Sequence, residues 1–367
     1  ANYSISKENK INKMKVLVLG GTGAMGMHLV EILSDAGIET FVTSRSRHVS
    51  SKFNVKYMQG DAHDLMFLNK ILREHWDVIV DFMAYSTEEF IERVDLLLKA
   101  TSQYVFLSSA RVYANSETII TEETPRLLDV STDKEYLTTD EYALTKARQE
   151  NVLRTSKYKN WTIIRPYITY SEIRFQLGVL EKEAWLYRAL NGRTIVFSDD
   201  IACKYTTLTH GLDVARGICK VVGNSEVLGE TFHITTTKSC RWNDILFIYL
   251  DVLKNKIGCC PKVLMLDKSM NLNYDYLKYQ VLYDRYYDRR FDNTKISKFI
   301  DIDSFKNAEL GIRLCLEIFL ETPKFNTINW RTEALKDKLT GERTLLKEIP
   351  TLKQKVKYLL YRYVFLS

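Results

Sequence analysis

No stretch of this chain approaches the ~18 consecutive apolar residues of a membrane span, so no transmembrane helix is expected. The first 13 residues are polar, with Lys7, Lys10 and Lys13, and lack the apolar core of a secretory signal. Met14 directly precedes the first apolar run, so residues 1–13 read as a leader or a cloning remnant. Six cysteines (Cys203, Cys219, Cys240, Cys259, Cys260 and Cys315) show no CxxC spacing. Only Cys259 and Cys260 are close, and adjacent cysteines rarely bridge. The set therefore reads as reduced thiols of a cytoplasmic protein. Internal repeats and low-complexity segments are absent. Charge of one sign is in small excess only. The net +6 fits an anionic substrate or a negative surface and does not by itself argue for nucleic acid.

What is present is the composition of a soluble globular protein, 46% hydrophobic and 27% charged. The length of 367 residues suggests roughly two domains, or one with an insert. Lys15–Gly26, KVLVLGGTGAMG, is the most informative segment. A β-prone run leads into glycines at 20, 23 and 26, and Met25, Leu29, Val30 and Leu33 follow at helical spacing. Strand, glycine turn and helix in that order let a pyrophosphate approach the backbone at the positive end of a helix. A bound dinucleotide is therefore expected.

Strands are expected at 15–20, 39–44, 55–59, 77–83, 104–109 and 161–166, and helices at 24–36, 64–74, 86–100 and 138–156. Continuous apolar strands such as DVIVDFM suit a parallel sheet covered on both faces, and the alternation gives a doubly wound α/β domain. After Pro166 the pattern loosens. Residues 172–192 and 242–255 read as helices, and 194–197 and 230–234 as short strands. The tyrosine-rich stretch 274–287 places Tyr279, Tyr283, Tyr286 and Tyr287 at helical spacing, which suits packing.

Tyr142 and Lys146 are four apart on an expected helix and share a face. An ammonium beside a phenol favours the phenolate and makes the tyrosine usable as an acid/base near neutral pH. Tyr3/Lys7 and Tyr274/Lys278 share that spacing, but only Tyr142/Lys146 lies between the fifth and sixth strands, after the strand end FLSSARVY. There Ser109 falls at the carboxyl edge of the sheet, where a hydroxyl can bind a substrate oxygen or cap a turn.

GGTGAMG, GDAHD, VDFMAY, FLSSARVY and YALTK occur in the order of the extended short-chain dehydrogenases. Over about residues 15–235 the chain resembles the NAD-dependent epimerase/dehydratase family, whose members mostly act on nucleotide sugars. FDNTK at 291–295 resembles a further segment of that family. The resemblance implies a Rossmann-like doubly wound parallel sheet over residues 14–170. It also implies a smaller substrate-binding lobe made mainly from residues 171–367, with some segments returning to the first domain. Ser109, Tyr142 and Lys146 would be the catalytic triad. Gly20, Gly23 and Gly26 would hold the pyrophosphate, with Thr22, Ala24 and Met25 completing the turn. Asp61 would contact the adenine, Ala84 and Tyr85 would line the cofactor cleft, and Pro166 and Tyr167 would sit near the nicotinamide. A homodimer would be in keeping with the family.

Departures from the family pattern limit the chemistry. The Asp–Glu pair of the dehydratases is replaced by Ala110 and Arg111, which sets elimination of water aside. Ile168 stands where many nucleotide-sugar enzymes have asparagine, and the Arg-Asp before His210 is missing. Lys204, Arg174 or Arg193 could supply charge for a sugar phosphate. Ser109 and Tyr142 are 33 residues apart, so the loop 114–137 is expected to be extended and to cover the substrate. At the end of the second strand, Ser44, Arg45 and Arg47 stand without a carboxylate, which favours NADP over NAD.

His210 and Asp213 have no third ligand at suitable spacing, so a structural role is expected and no metal site. The C-terminal stretch 347–366 is basic and amphipathic and reads as a closing helix or a membrane-surface contact. The leading expectation is an NAD(P)-dependent epimerase of a nucleotide-linked sugar. An NADPH-dependent keto-sugar reductase would use the same triad once, and a non-catalytic nucleotide-binding or scaffold protein would keep only the fold.

Overall fold

In a computed structural model of the chain, the described residues are 14–272 and 277–365. Residues 1–13, with the Tyr3/Lys7 pair, and Tyr274 of the Tyr274/Lys278 pair lie outside them. The described residues fall into two units, the first comprising 14–169, 207–237 and 291–306.

The first unit is built on β1 (Lys15–Leu19), β2 (Glu39–Ser44), β3 (Val55–Gln59), β4 (Trp76–Asp81), β5 (Thr101–Leu107), β6 (Trp161–Pro166) and β7 (Glu230–Ile234). These seven strands pair in the order β7-β6-β5-β4-β1-β2-β3. Each neighbouring pair is parallel. Its helices are α1 (Ala24–Asp35), α2 (Leu65–Ile71), α3 (Thr87–Lys99), α4 (Tyr142–Thr155) and α5 (Gly211–Val221). β1 shows why the sheet is double-faced. Val16 and Val18 join one core with Leu29 and Leu33 of α1 and Ile218 of α5. Leu17 and Leu19 join the other with Leu68, Phe90 and Leu153 of α2, α3 and α4. This is the Rossmann-like doubly wound sheet expected. The strand order reverses at β1, between β2 and β4, which opens a crevice beyond the carboxyl ends of the strands.

Local chemistry sets the helix starts. Ser86 and Glu89 form a reciprocal capping box at α3, and the Asp64 carboxylate accepts the Met66 N–H at α2. Glu141 caps α4 by accepting the Ala143 N–H, so the helix expected over 138–156 begins at Tyr142. β4 and β5 end at Asp81 and Leu107, short of the expected 83 and 109. The loop 114–137 is tied down by bridges Tyr113–Arg126 and Ile120–Phe291.

The second unit comprises 170–206, 238–290 and 307–365 of the described residues. Of the helix expected over 172–192, only Lys182–Leu190 is helical. Before it, Leu177 and Leu180 exchange backbone hydrogen bonds around Gly178, whose φ of +60° turns the chain back on itself and excludes a helix. Helix Trp242–Ile257 packs here, with Tyr249 stacked on Trp185 at 4.3 Å between ring centroids. Strands Ile195–Ser198 and Val263–Leu266 pair in parallel. Helices Ala308–Glu321, Trp330–Thr340 and Leu352–Leu359 complete the unit; the sequence reading has no counterpart for the first two, as for α5. In the described part of the tyrosine stretch, Tyr279 and Tyr283 rings stack, and the Tyr286 hydroxyl donates to Asp200. No helix of the described residues is long and apolar enough to cross a membrane.

Candidate functional site

The glycine turn after β1 has three differently constrained positions. Gly20 has φ +69°, and a Cβ there would lie 2.7 Å from Met83 Sδ. A Cβ on Gly26 would lie 2.8 Å from the Gly21 Cα, so this glycine lets α1 pack closely on the turn. A Cβ on Gly23 would meet nothing within 4 Å. Gly23 is also the N-cap of α1, which has no side-chain cap and no acidic residue in its first turn. Ala24, Met25 and Gly26 therefore begin a helix whose first N–H groups lack intrahelical acceptors. An open, uncapped, acid-free helix start fits the pyrophosphate of a dinucleotide.

Other residues expected at the cofactor lie on neighbouring strand ends. Ser44 is buried at the end of β2, while Arg45 and Arg47 are exposed. Asp61, beyond β3, accepts from the His63 backbone N–H at 2.9 Å and lies 3.1 Å from the His63 ring. Chiefly that N–H, with added pull from His63 and Arg45, holds the Asp61 carboxyl below the usual range. His63 Nε2 donates to the Ala84 carbonyl at 2.9 Å, linking the ends of β3 and β4. Burial opposes protonation of His63, but the Ala84 carbonyl and Asp61 raise its pKa. Ala84 is exposed, whereas the Tyr85 side chain is buried under the guanidinium of Arg93. Of this pair, only Ala84 presents its side chain at the surface. Pro166 and Tyr167 are buried at and just beyond the end of β6.

Tyr142, Lys146 and Ser109 are placed by β5 and α4. Lys146 is buried, and its Nζ donates to the Leu107 carbonyl at 2.8 Å. Burial pushes its pKa down to about 8, against the pull of Asp81 and Glu150. Tyr142, by contrast, is 46% exposed at the first position of α4. Its ring centroid lies 5.9 Å from Lys146 Nζ and 5.4 Å from the Arg111 guanidinium. Arg111 also pairs with Glu141, which accepts from the Tyr136 hydroxyl at 3.0 Å. Two cations thus approach an exposed phenol. Ser109 caps the turn Ala110–Val112, its Oγ accepting from the Arg111 N–H at 3.1 Å. Its hydroxyl proton and second lone pair are not used by that bond.

Two buried supports were not read from the sequence. Asp81, at the end of β4, accepts from the Tyr104 hydroxyl at 2.6 Å and the Met83 N–H at 2.9 Å. Burial pushes its pKa up against these donors. Glu150, one turn beyond Lys146, accepts from Arg165 Nε at 2.8 Å and Nη2 at 2.6 Å, from Ser108 at 2.7 Å and from Arg126 at 3.2 Å. Despite burial, chiefly Arg165 keeps its carboxyl below the usual range. This ion cluster fastens α4 to β5 and β6, and so fixes the helix that carries Tyr142 and Lys146. A long helix mid-section containing a glutamate is the only sequence trace of it.

His210, Asp213 and His233 each make hydrogen bonds within the first unit. His210 caps α5, its Nδ1 accepting the Leu212 N–H at 3.0 Å. Asp213 accepts from Arg216 at 2.9 Å and from the Lys306 N–H at 2.7 Å. His233 accepts from the Tyr113 hydroxyl at 2.9 Å, and its other nitrogen donates to the Asp292 carbonyl. Burial pushes its pKa down to about 4, so it is neutral at physiological pH.

Residues 16–235, more than half of the chain, match the family model described as NAD dependent epimerase/dehydratase family. The chain is similar to a chloroplast stem-loop binding protein of 41 kDa from Arabidopsis thaliana, 26% identical over 62% of this chain and 60% of that protein. It is similar to a UDP-glucose 4-epimerase from Lactobacillus helveticus, 34% identical over 30% of this chain and 41% of the enzyme. It thus spans no more than about three fifths of either relative. Its fold resembles that of a UDP-glucuronic acid 4-epimerase from Bacillus cereus in complex with UDP-glucuronic acid and NAD, with a TM-score of 0.62 and 16% identity. That likeness covers 84% of this chain and 100% of the other.

Proposed function

Since the chain belongs to the NAD dependent epimerase/dehydratase family, we propose that it is an NAD(P)-dependent epimerase of a nucleotide-linked sugar, working through a keto intermediate. The observation that carries this reading is the exposed Tyr142 side chain at the carboxyl edge of the sheet, with the Lys146 ammonium 5.9 Å and the Arg111 guanidinium 5.4 Å from its ring centroid. Both cations favour the phenolate, which can take a proton from a sugar hydroxyl. Ser109 orients that oxygen with its free hydroxyl proton. Lys146, anchored on Leu107, fixes the positive charge beside Tyr142 and reaches the cofactor ribose. The turn Gly20–Gly26, with Ala24 and Met25, receives the pyrophosphate, Asp61 the adenine, and Ala84 and Pro166 flank the cleft. A nicotinamide cofactor held there would supply reversible hydride acceptance at the sugar carbon, so that inversion would involve no net oxidation. The solved relative that binds UDP-glucuronic acid and NAD supports this substrate class.

The test is to incubate the protein with UDP-linked hexoses and hexuronates and follow the sugar by proton NMR. Inversion at one carbon without net change in nicotinamide absorbance supports the epimerase. Stoichiometric consumption of NADPH with a keto-sugar supports the reductase instead. Absence of turnover and of cofactor binding would leave a non-catalytic binding protein, a reading favoured only by the name of the stem-loop binding relative.

The reductase has one observation of its own. Arg45 is exposed at the end of β2, with no acidic residue among 44–47. Placed there, a guanidinium suits the 2′-phosphate of NADP. Arg45→Asp is expected to weaken NADP by roughly 1–3 kcal/mol, as for a charge-assisted bond, and NAD by much less. Titration of both cofactors measures it, and an equal effect on the two would place Arg45 in solvent.

A further inference from the structure

The C-terminal helix Leu352–Leu359 continues without a break through Val364. One side of it is fastened. Tyr358 is buried, its hydroxyl donating to Asp337 at 2.6 Å and accepting from the Thr344 N–H at 2.8 Å. Tyr361 lies under the Arg331 guanidinium, and Arg362 Nε donates to the Glu342 carbonyl at 3.0 Å. These contacts fix which face looks outward. The outward face is apolar: Leu352, Val356, Leu359 and Tyr363, at spacings of four, three and four, are all exposed, Leu352 by 77% and Tyr363 by 59%. Leu360 and Val364 widen the stripe on one side. On a helical wheel of Leu352–Leu359, Lys353 and Lys357 border one edge of the stripe, and Lys355 the other. From Ile349 to Ser367 the sequence contains no aspartate or glutamate.

We propose that this helix lies on the surface of an anionic lipid bilayer, its leucine-valine-tyrosine stripe in the headgroup–acyl boundary and its flanking lysines on lipid phosphates. An apolar stripe bordered on both sides by long basic side chains is the pattern of an interfacial helix, because lysine stems can cover apolar surface while their heads reach phosphate. The excess of positive charge gives the surface its preference for anionic lipid. A second copy fits less well. Two such stripes face to face would bring their cations together with no carboxylate on either helix to pair with them.

The full chain should cosediment with vesicles of phosphatidylcholine and phosphatidylglycerol, more weakly as salt is raised, and hardly at all with phosphatidylcholine alone. Leu352→Asp with Val356→Asp should lower partitioning by at least about tenfold. Lys353→Gln, Lys355→Gln and Lys357→Gln together should remove the preference for anionic vesicles. All these side chains leave Tyr358 and its bonds untouched, and unchanged thermal unfolding and cofactor titration would show that each variant is folded. Equal binding to both vesicle types, no binding to either, or partitioning unaffected by the variants overturns the proposal. Concentration-dependent dimerisation that the Asp pair abolishes, without vesicle binding, also overturns it and assigns the stripe to a second copy.

Discussion

Tyr142→Phe is expected to lower turnover by ~100- to 10,000-fold, the range for loss of a general acid/base, with cofactor affinity and folding nearly unchanged. The substitution removes one oxygen from a side chain that is half exposed, and it leaves the ring facing Arg111 and Lys146. Lys146→Met should behave differently. It removes the donor to the Leu107 carbonyl and a buried cation facing Asp81 and Glu150, so turnover and cofactor affinity should both fall. The pH dependence follows from the direction of the lysine shift. Below about 8 Lys146 carries its charge and favours the phenolate; as pH rises through about 8 that charge is lost. Turnover of the parent should therefore decline above that point, and Lys146→Met should lose this limb of the profile. Tyr274→Phe, which lies outside the described residues but has the same spacing to its lysine, is the control and should be near neutral. Steady-state kinetics across pH with a substrate found by screening nucleotide sugars measures all of this. Retained activity in Tyr142→Phe would remove the phenol from the chemistry.

Those residues were legible in the sequence because their signals are local. Gly20, Gly23 and Gly26 fall within one turn, and Tyr142 and Lys146 within one turn of helix. The strands β1, β4 and β5 were legible because parallel strands buried on both faces need unbroken apolar runs, such as Val16–Leu19, Val78–Val80 and Tyr104–Leu107. What failed was non-local. Glu150 meets Arg165, Arg126 and Ser108, partners 15, 24 and 42 residues away, and no spacing rule connects them. Asp81 meets Tyr104 of the neighbouring strand, 23 residues on. The helical pattern of 172–192 was overruled by a tight turn at Gly178. The helix α5 went unread although Val214, Ala215, Ile218 and Val221 have helical spacing, because it falls in the part of the chain after Pro166 where the strand-helix alternation loosens; its cap is His210, and Asp213 accepts from a backbone N–H 93 residues on.

Gly23→Val should abolish nicotinamide cofactor binding, or weaken it by at least about 100-fold, roughly 2.8 kcal/mol at 1.4 kcal/mol per tenfold, while the fold is kept. The three turn glycines are not equivalent tests. Gly20→Val would force a side chain into a left-handed backbone and onto Met83, and Gly26→Val would drive α1 off the Gly21 backbone. Either would confuse a folding defect with a binding defect. Gly23 has φ −76° and ψ 173°, an extended conformation that a β-branched residue adopts readily, and its Cβ would enter open space. No protein atom lies within 4 Å of the added Cβ, so a ligand approaching the N–H groups at the start of α1 would meet it. Calorimetric titration with NAD and NADP, beside the thermal midpoint of the same sample, separates the two effects. An unchanged midpoint with lost affinity locates the pyrophosphate at this turn. Unchanged affinity for both cofactors would mean that the dinucleotide, if bound at all, does not lie against the start of α1, and the assignments of Asp61, Arg45 and Lys146 to it would fall with that one result.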